Sequence, residues 1–332
     1  MSITQLVMMG IEGTSLTPAE REVLSSAPPG GIILFSRNCP TVEACKLLVG
    51  EIQELAARHG AAPLLIAIDQ ECGPVCRLRE GFPEFPGAAL LGEKNELADT
   101  ASTAWKIGGC LKDLGVNLNL APVADLACSG SAVLAGRCFA ADPGQVAAQV
   151  AAYIRGLQGS GIAACAKHFP GHGSVPGDSH TLLPTSDLSL ESLQASHLQP
   201  FFAAIEANVK VIMTAHLQFT AIDPRWPVTF SRFFLNDLLR RRLGFSGVIL
   251  SDDLDMAAVA GDDLAATMVQ GLSAGLDLVL WGRNMKKGDD PRRVFARLTA
   301  SAAAMDEEQQ KQLAEARARV AALRSWVPQR EC

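Results

Sequence analysis

The chain has 332 residues, of which 48% are hydrophobic and 19% charged, and its formal net charge is -6 at pH 7. This composition allows one large core, and an acidic balance without a basic run argues against nucleic acid or an anionic membrane as the main partner. Residues 1–5 lack the basic start of a signal peptide, and no apolar stretch reaches the roughly 18 residues of a membrane span. We therefore expect a cytoplasmic protein that acts as a monomer.

Short apolar runs alternate with amphipathic stretches along the chain. We predict strands at residues 5–10, 31–35, 63–68, 117–121, 161–166, 209–214, 247–250 and 276–281. We predict a first helix with Thr17 as its N-cap and Pro18 at its first position. Further helices are predicted at residues 41–57, 95–114, 142–159, 190–207, 231–243 and 262–274, with closing helices at about 291–326. The strands are mostly apolar rather than alternating, which is typical of parallel strands covered on both faces.

Polar residues recur where the predicted strands end, at Arg37, Asp69, Asp125, Lys167, His216 and Asp252. In an open doubly wound sheet such residues would gather at one switch point, whereas here nearly every strand contributes one. This pattern favours an α/β fold closed into a single (β/α)8 TIM-type barrel, somewhat irregular, with one site at its mouth. No linker or composition shift marks a second domain, so we assign residues 1–332 to one catalytic barrel.

Nine cysteines occur at irregular spacing, which fits free thiols in a reducing compartment. Cys72 and Cys76 lie four residues apart, but no second pair with zinc-site spacing accompanies them. We therefore predict no metal site there.

The stretch at residues 167–180 contains three of the six histidines, together with Lys167 and Asp178. Its glycines and prolines exclude a regular helix or a long strand, so we expect a strand to end at Lys167 and a polar loop to follow. Titratable groups on such a loop indicate a site of chemistry.

Asp252 and Asp253 follow a predicted strand, and side chains alternate along a strand. We therefore expect one carboxylate to face the barrel mouth and the other to serve the next loop. A carboxylate at the mouth can act as a nucleophile, a base or a metal ligand. His180 is the natural partner for proton transfer, and the nearby Asp178 can fix its tautomer.

These residues resemble a known family. Lys-His-Phe-Pro-Gly-His-Gly at 167–173, Asp-Ser-His at 178–180 and Ser-Asp-Asp-Leu at 251–254 look like the family 3 glycoside hydrolases. Within them the match is to the single-domain β-N-acetylglucosaminidases (β-hexosaminidases) of bacterial cell-wall recycling. The likeness covers nearly the whole chain and includes residues 34–38, 67–71, 121–125 and 215–216.

The resemblance implies a retaining exo-β-N-acetylglucosaminidase that removes terminal GlcNAc from muropeptide fragments, without cofactor or metal. Asp252 would be the nucleophile that forms a covalent glycosyl-enzyme, His180 the acid/base and Asp178 its partner. The sugar-binding positions of the family correspond to Asp69, Arg77, Arg137, Lys167 and His168. From the sequence we expect His172 to order the loop, His216 to line or support the pocket, and His59 and His197 to be solvated helical residues.

Three residues depart from the family pattern beside these positions. Cys72 replaces a glycine that serves a positive φ or a close backbone approach, and Pro74 replaces an arginine and removes a backbone donor. Gly136 stands where a glutamate usually precedes Arg137, so that a charge able to hold Arg137 is lost. Activity, affinity or aglycone preference can therefore differ from the family's usual behaviour.

Three alternatives stay open at this point. A histidine acid/base tolerates anionic phosphate, so the chain could be a β-N-acetylglucosaminide phosphorylase. The departures at Cys72, Pro74 and Gly136 would suit a catalytically impaired sugar-binding homologue. A metallohydrolase would use His168, His172, Asp178 and His180 as ligands, although their spacing matches no established metal motif.

Overall fold

A computed structural model describes residues 2–60, 62–128, 131–175, 182–284 and 289–327. Eight parallel strands close into a barrel, which confirms the predicted fold class. They are β1 (Val7–Gly10), β2 (Gly31–Leu34), β3 (Leu65–Ile68), β4 (Leu118–Asn119), β5 (Ala163–Phe169), β6 (Val211–Thr214), β7 (Val248–Asp253) and β8 (Leu278–Trp281). Register shifts in the β5–β6 and β7–β8 pairs make the barrel irregular.

Helices connect the strands and cover the barrel. They are α1 (Pro18–Ser26), α2 (Val42–Arg58), α3 (Ala88–Lys94), α4 (Leu97–Asp113), α5 (Pro143–Gly159), α6 (Leu190–Ala195), α7 (Gln199–Glu206), α8 (Leu264–Ala274), α9 (Pro291–Ala303) and α10 (Glu307–Trp326), with a π-helix at Phe233–Arg242. Short 3₁₀ turns lie at Ile3–Leu6, His172–Ser174 and Val228–Phe230, and two short strands, Thr185–Ser186 and Gln218–Phe219, pair outside the barrel. In the described part of the chain, no helix combines the length and apolar character needed to cross a membrane.

The helix starts follow from local side-chain chemistry. The Thr17 side chain accepts a hydrogen bond from the backbone N–H of Glu20, and the Glu20 carboxylate accepts one from the N–H of Thr17. This capping box, with Pro18 at the first position of α1, satisfies backbone donors that would otherwise lack partners. Asp142 caps α5 in the same manner by accepting from the N–H of Gln145. The predicted starts at Thr17 and Asp142 are therefore confirmed.

Several elements differ from the prediction; β7, for example, extends to Asp253 instead of ending at residue 250, and three further differences follow. Strand β5 continues to Phe169 instead of ending at Lys167, because buried carboxylates partner the polar side chains of its last residues. The predicted helix at 190–207 is broken between α6 and α7. Pro200 lies in the first turn of α7, a position that tolerates proline because its backbone nitrogen needs no helical hydrogen bond there. The sequence also left α3 unpredicted; Asn95 ends it with a φ of 53°.

The barrel core positions the site. Strands β1 to β3 are buried along their whole length, and the apolar side chains of all eight strands fill one continuous core. At the carboxyl ends of the strands the buried residues become polar, and they include Asn119, Asp125, Lys167, His168 and Ser251. Because burial of such groups is costly without partners, each needs a specific hydrogen bond or ion pair at this end of the barrel.

Barrel closure between β1 and β8 supports a first prediction. A side chain at Gly10 would overlap the backbone carbonyl of Gly282, whereas nothing lies within 4 Å of the corresponding point at Gly13. Gly10→Ala should therefore lower the free energy of unfolding by about 1–3 kcal/mol, because overpacked backbone must move. Gly13→Ala is the matched control and should change it by less than about 0.5 kcal/mol. Equal urea denaturation midpoints for the two variants would contradict this account.

Candidate active site

A cavity of about 430 Å³ opens at the carboxyl ends of the barrel strands. Its polar lining consists of Asp69, Arg77, Arg137, Lys167, His168, His172, Asp252, Asp253 and Asn284. All five residues expected to bind sugar therefore lie together with Asp252, although they come from distant parts of the chain. Asp178 and His180 lie outside the described residues, so their expected roles stay predictions.

The Lys167 ammonium is the most deeply buried charge at the cavity, with 2% of its side chain exposed. Its Nζ lies 2.7 Å from Asp69 Oδ1 and 2.7 Å from Glu71 Oε1. Burial alone would lower the pKa of Lys167, but the two carboxylates raise it above its usual value. Conversely, burial opposes ionisation of Asp69, and the charges of Lys167 and Arg77 hold its pKa well below the ordinary range. Lys167 and Asp69 are therefore both charged at neutral pH.

Arg137 is held by a two-point ion pair with Glu71. Its Nε lies 2.9 Å from Oε2 and its Nη2 lies 2.8 Å from Oε1, while Nη1 donates to the carbonyl of Val133 at 2.9 Å. This fork geometry fixes both the position and the plane of the guanidinium. Glu71 therefore supplies the carboxylate that Gly136 cannot provide, and Arg137 is ordered despite the departure from the family pattern.

Arg77 binds the Asp69 carboxylate at the oxygen that Lys167 does not contact. Its Nη2 donates to Asp69 Oδ2 at 3.1 Å, and its guanidinium lies 5.5 Å from the centre of the Phe35 ring. The side-chain oxygen of Gln70 accepts from the backbone N–H groups of Arg77 and Leu78, both at 3.0 Å. Through these two hydrogen bonds, Gln70 holds the backbone of residues 77–78 against the end of β3.

Asp125 organises two histidines from beneath the cavity. Its Oδ2 lies 2.6 Å from His168 Nδ1, and its Oδ1 accepts from the backbone N–H of His172 at 2.6 Å. Burial raises the pKa of Asp125, but His168 and His172 more than offset this, and the pKa is lowered overall. With Nδ1 engaged, Nε2 is the His168 ring nitrogen available to a ligand. Burial lowers the pKa of His172, which fits the expectation that it orders the loop.

Asp252 stands at the end of β7 and is partly exposed to the cavity. Its Oδ1 accepts the backbone N–H of Asp253 at 2.8 Å. Burial opposes its ionisation, but His168, His216, this N–H group and Lys167 together hold the pKa of Asp252 below its usual value. Asp252 is thus an ionised carboxylate at neutral pH, as a nucleophile must be.

Asp253 has a different role, as the alternation of side chains predicted. Its Oδ1 accepts from the backbone N–H of Gly282 at 2.9 Å and from that of Asp255 at 3.1 Å, which ties β7 to the end of β8. Burial raises the pKa of Asp253 to about 7. His216 supports this arrangement, since its Nε2 lies 3.0 Å from the Asp253 carbonyl oxygen and its Nδ1 lies 2.7 Å from Thr229 Oγ1. His216 is fully buried and supports the cavity without lining it.

The expectation that His197 is a solvated helical residue is wrong. It lies between α6 and α7, half-buried, and its ring occupies the space beside Gly171 where a side chain would otherwise lie. Burial lowers the pKa of His197. His59 is exposed, as expected, at the end of α2.

The three departures from the family pattern meet in space. Cys72 has a φ of 59°, so its backbone adopts the left-handed conformation that favours glycine. Gly136 also has a positive φ, of 72°, and a side chain there would lie 3.1 Å from Pro74 Cγ. All three residues border one small cavity beside Glu71 and Arg137.

Two residues of the site were missed as site residues in the sequence. Glu71 binds both Lys167 and Arg137, and Asp125 fixes His168. Glu71 lies two residues after Asp69, a spacing that places side chains on the same side of an extended segment, and this signal could have identified it. Asp125 was recognised only as one more polar residue at a strand end.

Removal of Glu71 provides a second prediction. Glu71→Ala leaves the buried Arg137 without its carboxylate and Lys167 with one partner, so the free energy of unfolding should fall by about 3 kcal/mol. Glu54→Ala is a suitable control, because the Glu54 side chain is 70% exposed in its pair with Arg58 and its loss should cost at most about 0.5 kcal/mol. Urea unfolding at neutral pH measures both; similar losses would contradict the assignment.

The lowered pKa values of Asp69, Glu71 and Asp125 make a third prediction about acid. A carboxyl group whose pKa is lower in the folded state stabilises the fold above its unfolded pKa of about 4, and this contribution is lost as pH falls through the folded pKa. Stability should therefore decline steeply below about pH 4. In Glu71→Gln the decline should be shallower, as measured by unfolding free energies over a pH series. Parallel curves would refute this.

Comparison with known proteins agrees with the fold. The model of the glycosyl hydrolase family 3 N-terminal domain matches residues 1–323. The chain is 42% identical over 279 residues to a β-hexosaminidase of Methylococcus capsulatus, which covers 82% of this chain and 81% of that relative.

Two solved structures extend this likeness. A family 3 β-N-acetylglucosaminidase from Paenibacillus superposes with a TM-score of 0.90 at 34% identity, over 98% of this chain and 61% of that one. NagZ from Neisseria gonorrhoeae, in complex with N-trifluoroacetyl-D-glucosamine, superposes with a TM-score of 0.77 at 32% identity, over 96% of this chain and 98% of that one. The chain therefore belongs to glycosyl hydrolase family 3 and is a glycoside hydrolase.

Proposed function

We propose that the chain is a retaining exo-β-N-acetylglucosaminidase that acts as a monomer in the cytoplasm and consists of one catalytic domain. Its substrates would be muropeptide fragments, GlcNAc-1,6-anhydro-MurNAc with or without a peptide, from which it removes the terminal GlcNAc. The observation that carries the proposal is the ionised Asp252 in one cavity with Asp69, Lys167 and His168. The β-hexosaminidase and β-N-acetylglucosaminidase names of the relatives support the choice of sugar.

In the first step, the Asp252 carboxylate attacks the anomeric carbon of the bound GlcNAc, and the bond to the leaving-group oxygen breaks. His180 donates a proton to that oxygen, with Asp178 orienting its ring; both roles rest on the family motif. In the second step, His180 removes a proton from water, and the oxygen of that water displaces Asp252 from the sugar. Two displacements at one carbon retain the anomeric configuration.

The sugar would be held by charges that are already in place before it binds. The Asp69 carboxylate can accept hydrogen bonds from two sugar hydroxyls, while Arg77, Arg137 and Lys167 can donate to hydroxyl or carbonyl oxygens. Because Glu71 fixes the guanidinium of Arg137, little reorganisation is needed during the reaction, which favours the transition state. A cavity of about 430 Å³ suits one sugar unit, in keeping with removal of terminal residues.

A fourth prediction tests the nucleophile. Incubation with a fluorinated GlcNAc analogue that forms a slowly hydrolysed glycosyl-enzyme should label Asp252, as identified by peptide mass spectrometry. Asp252→Ala should lower turnover of a chromogenic GlcNAc β-glycoside at least about a thousandfold. Asp237→Ala is the matched control, since Asp237 is 43% exposed on the outer π-helix and its loss should leave turnover unchanged.

Several outcomes would overturn the proposal. Wild-type protein without turnover but with tight GlcNAc binding would indicate a sugar-binding homologue, and equal turnover by Asp252→Ala would exclude the nucleophile. Formation of a sugar 1-phosphate in phosphate buffer would indicate phosphorolysis. Activity lost on addition of a chelator would indicate a metallohydrolase.

A further inference from the structure

The turn after β3 contains two cysteines, Cys72 and Cys76, which lie between Asp69 and Arg77, two of the expected sugar-binding residues. Gln70 pairs with Cys76 across this turn, and the N–H of Glu71 donates to the carbonyl of Val75 at 3.1 Å. Cys72 follows Glu71 directly, and Cys76 directly precedes Arg77. Any covalent change at the two thiols is therefore one peptide bond away from two side chains of the candidate site.

The two thiols interact with each other at the edge of one recess. Cys72 and Cys76 line a common recess of about 220 Å³ with Leu78 and Phe82; Cys72 is buried in it and Cys76 is partly exposed. Interaction with the Cys72 thiol lowers the pKa of Cys76 below its ordinary value, although burial opposes this. The side-chain amide of Gln70 donates to Cys76 Sγ at 3.1 Å, which also favours the thiolate. Because Cys76 is partly exposed while Cys72 is buried, Cys76 is the member of the pair that an oxidant can reach.

We propose that Cys72 and Cys76 form a peroxide-reactive dithiol site whose closure to a disulfide displaces the neighbouring sugar-binding side chains. The Cys76 thiolate attacks one peroxide oxygen, the O–O bond breaks, and the departing hydroxide takes a proton to become water. The Cys72 sulfur then attacks the resulting sulfenic sulfur, the S–O bond breaks, and a second water leaves with the thiol proton. Two thiols are oxidised and one hydrogen peroxide is reduced to two waters.

Disulfide formation would alter the support of the candidate site. The Cys76 thiol accepts a hydrogen bond from the Gln70 side-chain amide and donates one to the carbonyl of Leu78, both at 3.1 Å. Disulfide formation would remove the thiol proton of the second bond and draw the sulfur toward Cys72. Gln70 also anchors the backbone of Arg77, so the Arg77 guanidinium would lose its fixed position against Asp69. This loss of activity rests on the proposed function, whereas the thiol chemistry does not.

The experiment treats the reduced full-length protein with hydrogen peroxide, blocks free thiols by alkylation, and digests with trypsin. Residues 59–77 form one tryptic peptide that contains both cysteines. Closure, the formation of a disulfide within this peptide, gives a mass two hydrogens below that of the reduced peptide and without the two alkyl groups that free thiols would carry. Residues 38–46 form another, with Cys39 and Cys45, whose thiols also interact but are fully buried. The 59–77 peptide should close while the 38–46 peptide stays reduced. A reduced 59–77 peptide, or equal oxidation of both, would overturn the proposal.

Variants identify the order of attack. In Cys72→Ser, the reaction should stop at a Cys76 sulfenic acid that a cyclic diketone captures, whereas Cys76→Ser should leave Cys72 unmodified. Cys110→Ser, which removes a partly exposed thiol of α4, is the control and should not change closure of the 59–77 peptide. Capture at Cys72 in Cys76→Ser would refute the assigned order. The peptide measurement on the wild-type protein does not depend on whether these variants fold.

Turnover of the chromogenic GlcNAc glycoside gives the functional result. Closure should lower kcat/KM at least about tenfold, because displacement of a positioning group by even an ångström is costly, and a thiol reductant should restore it. A closed disulfide with unchanged kcat/KM would overturn the displacement of sugar-binding side chains. Absence of turnover in the reduced protein would instead refute the proposed function, while the peptide result would still decide the thiol chemistry.

Discussion

The ammonium group of Lys167, buried between the carboxylates of Asp69 and Glu71, is the interaction on which the barrel mouth depends. It joins β5 to the end of β3 at a point that is almost wholly shielded from solvent, where an unpaired charge would be very costly. The pairing continues on both sides into a row of alternating charges, namely Arg77, Asp69, Lys167, Glu71 and Arg137. Each charge compensates its neighbours, so a polar cavity can lie directly on an apolar core.

The same principle governs the other half of the cavity, where buried residues behind the wall orient residues that line it. Asp125 lies beneath His168, and His216 lies beneath the β7 end that carries Asp252. In both cases a fully buried residue makes no contact with the cavity and orients one that does. The parallel barrel makes this possible because successive strands bring their carboxyl ends to one rim, where residues far apart in sequence become neighbours.

The sequence was sufficient for the barrel and for the gathering of Asp69, Lys167 and Asp252, because apolar strands and polar strand ends are local patterns. It was insufficient where contacts between residues distant in sequence determine the order of a side chain or the end of a strand. The ion pair of Glu71 with Arg137 joins residues 66 positions apart, and it made Arg137 well ordered although Gly136 indicated otherwise. Likewise, β5 continues through Lys167, whose partners Asp69 and Glu71 follow the end of β3 and are distant in sequence. The assignments of Asp178 and His180 still rest on the family motif.

The contact of Pro74 with Gly136 restricts how the chain can change. Glutamate at position 136 would meet two obstacles, a backbone with φ of 72° and the Pro74 ring 3.1 Å from its Cβ. While Glu71 binds Arg137, nothing at this position favours the return of that glutamate. Substitution of Gly136 by a larger residue is therefore disfavoured while proline occupies position 74, so position 74 would have to change before or together with position 136.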